Sequence, residues 1–234
     1  VAKVPKAERV FAELRADILA GRLAPGERLR YSDLCERYGT SMGVARESML
    51  RLVEQGLARG ESQQGFQVMP LSRDELLELT DARVEIEALT FRRAISDGDV
   101  EWEARLLAAH HRMGRAPLID PSDPKRLNDA WMITHAEFHE TLLSGCANKR
   151  LTSIASSLRD SAELYRSWSV PFGHDNNRDV AAEHGEILNA ALSRDFKVAV
   201  PLLVDHIART TSSLLASPVR RPSERDDVPP LADT

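Results

Sequence analysis

His135 and His139 stand four residues apart in the segment WMITHAEFHETLL. On a helix that spacing stacks two imidazoles on one face, where they can present two nitrogens to a single point. One histidine from each of two facing helices would complete a tetrahedral or partly open octahedral shell. His184, on a stripe with Val180, Ile187 and Leu188, and His206, beside Leu202, Leu203 and Ile207, are placed to do this. A lone histidine on an apolar stripe is more often a hydrogen-bonded core residue, so spacing alone makes the metal reading only suggestive. A metal-dependent hydrolase would also need a carboxylate near the metal as general base. Glu137 and Glu140 lie two residues from His135 and one from His139, offsets that turn them away from the ligand face. His110 and His111 are adjacent and cannot share a face, and His174 falls in a Pro/Gly-containing loop; all three read as surface residues.

These groups need helices to hold them. Ser72-Arg73-Asp74-Glu75 is a capping box that opens a long helix to about Ser96, with Arg83 at the edge of an apolar stripe of Leu76, Leu79, Ile86 and Thr90. Further helices are expected at about 99–113, 124–144, 147–168, 179–193 and 196–215, which makes residues 72–216 an all-α bundle. Pro201 lies five residues before His206 and should kink the last helix. Residues 1–71 have a different character: seven of the twelve glycines fall there, between short helices. The first helix should run from Lys6 to about Ala20, with Val10, Leu14 and Ile18 on one face and Gly21 as its left-handed stop. Ser32 is a candidate N-cap for a helix over Asp33–Tyr38, and another helix follows from Gly43 to about Gln55, carrying Arg46 and Arg51. Two short helices joined by a glycine-containing turn make a helix-turn-helix. Leu57-Ala58-Arg59 and Gly65-Phe66-Gln67-Val68, on either side of a polar loop, read as the strands of a wing. Residues 217–234, proline-rich and polar, read as a disordered tail. The expected fold is mostly α, a winged helix-turn-helix followed by a helical bundle.

The whole chain of 234 residues carries 31 basic against 36 acidic residues, a net charge of −5 that weighs against a nucleic-acid partner. The balance is uneven, however: residues 1–70 hold 11 basic and 9 acidic groups, the remainder 20 and 27. The acidity therefore belongs to the bundle, and a slightly basic first domain on an acidic body suits a DNA reader. Two cysteines, Cys35 and Cys146, in no ligand-like spacing point to a reducing, cytoplasmic setting. No apolar leader and no run of eighteen apolar residues point to secretion or a membrane span.

The string from Ile18 to Gly26, then Leu34, Val44, Arg46-Glu47, Leu50, Leu52, Gly56-Leu57 and Gly65 to Val68, resembles the winged-helix domain of the GntR family of bacterial repressors in order, spacing and residue type. That resemblance implies a double-stranded DNA operator as partner. It places the helix from Gly43 in the major groove, with Ser41, Met42, Gly43 and Arg46 towards the bases and Arg51 further along, and the Gly65 wing tip at the minor groove. Arg46 is the first candidate for a phosphate or guanine contact. Met42 and Ser32 stand where the family commonly has arginines, so the operator should differ from the common one. With so little positive charge, non-specific DNA affinity should be weak and its salt dependence shallow.

Three blocks, LTDARVEIEALTFRRAI, HAEFHETLLSGCANKRL and EHGEILNAALSRDFKVAVPLLVDHI, resemble the FCD effector domain of the FadR branch of that family. In many such domains an Asp and three His bind a divalent metal, and the matching positions are His135, in place of the Asp, with His139, His184 and His206. A four-imidazole set favours Zn²⁺ or Ni²⁺ over Mg²⁺ or Mn²⁺. Loss of the Asp also removes a negative charge from the cavity, which favours an anionic effector, and Arg83 offers a fork to its carboxylate. The implied protein is a homodimeric, ligand-responsive regulator rather than an enzyme. The alternatives are a metal-dependent hydrolase and a metal-free acyl-chain sensor; burying four unpartnered imidazoles in an acyl tunnel would be costly.

Overall fold

The computed structural model describes residues 5–61, 65–168 and 178–216. Most of the expected wing loop, His174 and the expected tail 217–234 lie outside the described residues.

The first part of the chain runs α1 (Lys6–Leu19), β1 (Arg28–Leu29), α2 (Tyr31–Arg37), α3 (Met42–Glu54), β2 (Ala58–Glu61) and β3 (Gly65–Val68). Helix α1 buries the expected stripe Val10, Phe11, Leu14 and Ile18, and packs against α3 through Ala45, Met49 and Leu52. The two wing strands pair antiparallel, Arg59 opposite Gln67 and Gly60 opposite Phe66. The other edge of β3 takes β1, which gives the strand order β1-β3-β2. Two residues are too few for a strand period to show, so β1 had no signature in the sequence. Ser32 is not an N-cap: α2 begins at Tyr31, two residues earlier than expected, with Arg30 in the capping position, and the Ser32 hydroxyl donates to Asp33 Oδ1 at 2.7 Å.

The bundle consists of α4 (Arg73–Asp97), α5 (Val100–Arg115), α6 (Asp129–Ser144), α7 (Lys149–Trp168), α8 (Val180–Leu192) and α9 (Phe196–Ala216). Ser72 caps α4 by accepting from the Glu75 amide at 3.4 Å. The expected start of α6 at 124 is corrected to 129. Residues Asp123–Leu127 form β5, paired antiparallel with β4 (Ile119–Asp120), and Asn128 caps the helix by accepting from the Ala130 amide at 2.9 Å. The bundle therefore carries a short hairpin that the expected all-α reading lacked. Its core, centred on Phe91, Trp102, Leu106, Phe138, Ile187 and Leu203, is fully or almost fully buried. Burial contributes about 1.5–3 kcal/mol for each large apolar side chain. Helix α9 continues through Pro201 to Ala216, and Pro201 does not turn His206 out of the bundle: the residue is 4% exposed. Among the described residues no helix is long and apolar enough to cross a membrane.

One helix belongs to both cores. Leu164 of α7 packs into the winged-helix core, Asp160 pairs with Arg15 of α1, and Ser161 lies against the end of α3. At that contact Gly56 has φ +71°, and a β-carbon there would stand 2.7 Å from Ser161 Oγ. Gly56→Ala is expected to cost about 1–2 kcal/mol for the left-handed backbone, and more because Ser161 must turn from the Gln55 and Ser157 carbonyls it now donates to. Gly39, with φ +55° and open space around it, is the control. Denaturant midpoints should fall further for Gly56→Ala than for Gly39→Ala; equal shifts would mean that the α3–α7 contact is slack.

Candidate metal centre and nucleic-acid interface

Three helices bring the four histidines together. His135 and His139 project from α6, His184 from α8 and His206 from α9, and one ring nitrogen from each lies within 4.8 Å of all the others. All four residues are between 1% and 4% exposed. Trp131 stacks on His135 with ring centres 4.6 Å apart, and Phe138 stands edge-on to His139 and His184. Burial pushes every one of these imidazoles below its ordinary range. The Arg166 charge adds to this for His135, which is lowered to about 3, and the Arg159 charge for His139. For His206 burial outweighs the upward pull of Glu183. Neutral imidazole is the form that ligates metals.

The donor set fits a metal ion. His139 Nε2 and His184 Nε2 are 3.2 Å apart, a contact that holds only one proton between two lone pairs. A metal bound at 2.0–2.1 Å sets tetrahedral donors roughly 3.4 Å apart. His139 Nδ1 is buried with no hydrogen-bond partner among the described residues, so a neutral core role leaves this ring half satisfied.

The surroundings hold four charged residues that the sequence reading passed over. Arg159, Glu163 and Arg166 lie on one face of α7, and Glu87 lies one turn after Arg83 on α4; all are buried. Glu163 is paired with Arg166 and stands 3.6 Å from His135 Nδ1. Burial pushes the Glu163 carboxyl up, but Arg166 and His135 hold it well below the usual range, so it is ionised. This corrects the expectation that the His135 substitution strips the cavity of a negative charge, because α7 returns a carboxylate to the same corner. Steps of four and three residues between Arg159, Glu163 and Arg166 were the available signal.

Arg83 is only 6% exposed, deeper than the edge position expected of it. Its Nε donates to Glu87 Oε1 at 2.6 Å, and among the described residues its two terminal nitrogens have no further acceptor. Glu137 bonds to Arg112 on the surface, away from the histidines. His110 is partly buried against Phe138, not on the surface as expected, while His111 is exposed.

In the reader domain Arg46 is exposed on α3 with no ion-pair partner among the described residues. Ser41, Met42 and Gly43 begin the same helix, all exposed, Met42 at 65%. Gly65 opens β3. Arg51 faces α1 instead: its two terminal nitrogens bond to Glu8 at 2.8 and 3.3 Å, and its guanidinium lies 3.7 Å from the centre of the Phe11 ring.

A winged helix-turn-helix with an exposed arginine on its second helix, joined to a helical bundle with a buried polar centre, defines a DNA-binding transcriptional regulator. Residues 6–68 match the bacterial regulatory proteins of the gntR family, and residues 78–209 match the FCD domain. The HTH-type transcriptional regulator BphR of Paraburkholderia xenovorans is 36% identical over 88% of this chain and 83% of its own length. The HTH-type transcriptional repressor GlaR of Escherichia coli is 33% identical over 83% of this chain and 89% of its own. The chain belongs to the GntR family of transcriptional regulators and carries an FCD domain, a family of regulators and not of enzymes. The solved structure of Escherichia coli McbR/YncC has the same fold, with a TM-score of 0.74 over 92% of this chain and 99% of that one at 19% identity.

Proposed function

We propose that this regulator is a cytoplasmic, homodimeric repressor. Residues 1–71 read half of a palindromic operator, and residues 72–216 hold a divalent metal and sense a small carboxylate or sugar acid. Two-fold DNA sites call for two-fold proteins. His135, His139, His184 and His206 are the metal ligands, Zn²⁺ or Ni²⁺ before Mg²⁺ or Mn²⁺, because four imidazoles suit the borderline ions and supply no hard oxygen. The metal would contribute a Lewis-acidic position for the effector carboxylate, and Arg83 would present its terminal nitrogens to the same anion.

The observation that carries this reading is that α7 faces both sites. Arg159 and Glu163 stand by the histidines, and they also line a cleft of about 710 Å³ between α1 and the bundle. Asp160, Ser161 and Leu164 of the same helix hold the reader domain. An effector that binds one placement of α7 better than another would shift the reader by that difference in affinity.

Operator contact rests on Arg46, with Met42 offering an apolar contact to a thymine methyl where an arginine would read guanine. DNA from upstream of the protein's own gene should be bound in a mobility-shift assay, and an operator-bound fraction should change when metal and carboxylates are added. Arg46→Ala should weaken binding by about 5- to 150-fold, matching the 1–3 kcal/mol of one bidentate base contact. If Arg46 holds a phosphate instead, the loss will be equal on all sequences and the salt slope will fall by about one. Unchanged operator affinity and salt slope in Arg46→Ala would sink the assignment.

A further inference from the structure

Glu183 and Arg178 form a densely bonded, nearly buried polar group against His206. His206 Nδ1 lies 2.8 Å from Glu183 Oε2. Arg178 grips that same carboxylate with both arms of its fork, Nε to Oε1 at 2.9 Å and Nη2 to Oε2 at 2.7 Å. Arg178 Nη2 also donates to Thr210 Oγ1 at 3.0 Å and to the His206 carbonyl at 3.4 Å, one turn apart on α9. Arg209 adds a weaker contact to Glu183 Oε1 at 3.4 Å. The side chains of Arg178, Glu183 and His206 are 6%, 12% and 4% exposed.

We infer that Glu183, held by Arg178, is the positioning residue of the metal centre: it fixes His206 as the Nδ1–H tautomer and so leaves Nε2 as the ligand atom. This rests on the four-histidine metal reading above. An ionised carboxylate only accepts hydrogen bonds, so the proton at this contact belongs to His206 Nδ1. The Arg178 fork donates to both oxygens of Glu183, so this carboxylate meets His206 as an acceptor. Arg178 Nη2 comes within 3.5 Å of His206 Nδ1 but is already committed to Glu183 and Thr210, so it does not claim the ring nitrogen. With Nδ1 occupied, the only lone pair His206 has left is on Nε2.

The consequences are orientation and charge. His206 lies downstream of Pro201 on α9, and its ring is held from α8 by Glu183 as well as by its own helix. Glu163 stands 3.6 Å from His135 Nδ1, so a carboxylate lies beside the Nδ1 of a second proposed ligand as well. A carboxylate bonded to the far nitrogen of a metal-bound histidine orients the ring and raises its basicity, and removing one usually weakens metal binding about 10- to 100-fold.

The test uses the full chain, the metals nickel and zinc for affinity, and cobalt(II) as a spectroscopic probe. Affinities are measured by competition with a coloured chelator for the unaltered protein, Glu183→Gln and Glu183→Ala, alongside the melting temperature of each metal-free form. The expected result is a loss of about 10- to 100-fold in Glu183→Ala, a smaller loss in the near-isosteric Glu183→Gln, and an altered cobalt absorption spectrum in both. A purely structural role would instead lower the metal-free melting temperature and leave affinity and spectrum unchanged, and that outcome overturns the proposal. If Glu183→Ala does not fold, Glu183→Gln decides, since it keeps the volume and loses the charge. Failure of the unaltered protein to take up metal would overturn the metal reading itself, whereas full uptake with indifferent variants would overturn this inference alone.

Discussion

Replacing His139 with alanine is expected to abolish metal-dependent stabilisation of the bundle while leaving the metal-free protein nearly as stable as before. A ligand that binds only the native state adds RT ln(1 + [L]/Kd), about 4 kcal/mol when free metal exceeds Kd a thousandfold. In a chain of this size that is worth roughly 8–16 °C in melting temperature, at about 2–4 °C per kcal/mol. His139 is the ring to remove because it touches all three others: its ring centre lies 4.6 Å from that of His135, 5.1 Å from His184 and 5.2 Å from His206. Its Nδ1 is buried without a partner, so deleting the ring also deletes an unsatisfied polar atom, which offsets part of the cavity cost. Thermal melts of both proteins, each stripped with a chelator and then reloaded with zinc or nickel, give the answer. An unaltered protein that gains nothing on reloading, or a variant that gains as much, removes the four-histidine site from consideration.

Acid should destabilise the metal-free protein well above the pH at which its carboxylates titrate. A buried histidine whose folded pKa is depressed binds a proton in the unfolded chain at about pH 6.5 but not in the native bundle. Its contribution is therefore intact above that pH and is lost as pH falls towards the folded value, which for His135 is about 3. Each such group costs about 1.4 kcal/mol per pH unit within that window. For His135 that is about 2 kcal/mol between pH 6.5 and 5, and His139, His184 and His206, each lowered by burial, act in the same direction. Glu163 and Glu183, both held below the usual carboxylate range, act in the same direction at lower pH. Melting temperatures measured from pH 7.5 to 5 should fall steeply on the acid side of 6.5. A flat profile across that range would mean that the imidazoles are hydrated or already charged.

Both expectations depend on groups that differ in how openly the sequence carries them. The pair His135 and His139 was visible because one helix supplies both, and the helical period fixes their relation whatever the rest of the chain does. The same logic made Ser72 and Glu75 legible as a cap and Val10, Leu14 and Ile18 as a buried stripe. The reader domain was legible for a further reason: its turns need residues of particular backbone freedom at fixed intervals, and those residues are present in order. Strand β1 and the β4–β5 hairpin were not, since runs of two to five residues carry too few alternations to separate from loop. Arg51 illustrates a different failure. Its place on α3 suggested DNA, but whether an arginine faces outward or reaches Glu8 depends on how α1 lies across α3.

By itself the sequence determined the order of the two modules, the faces of their helices, and the set of histidines with a shared polarity and spacing. Local periodicity and capping act over a few residues, and they survive any arrangement of the helices. Only the tertiary structure decided that Glu163 stands beside His135, that Arg178 and Glu183 clamp His206, that α9 carries His206 inward past Pro201, and that α7 joins the buried centre to the reader. Most of these join residues of different elements, 20 to 150 positions apart in the chain. Their meeting is set by the angles and register at which apolar stripes interlock, a property of the packed core that no short window of sequence contains.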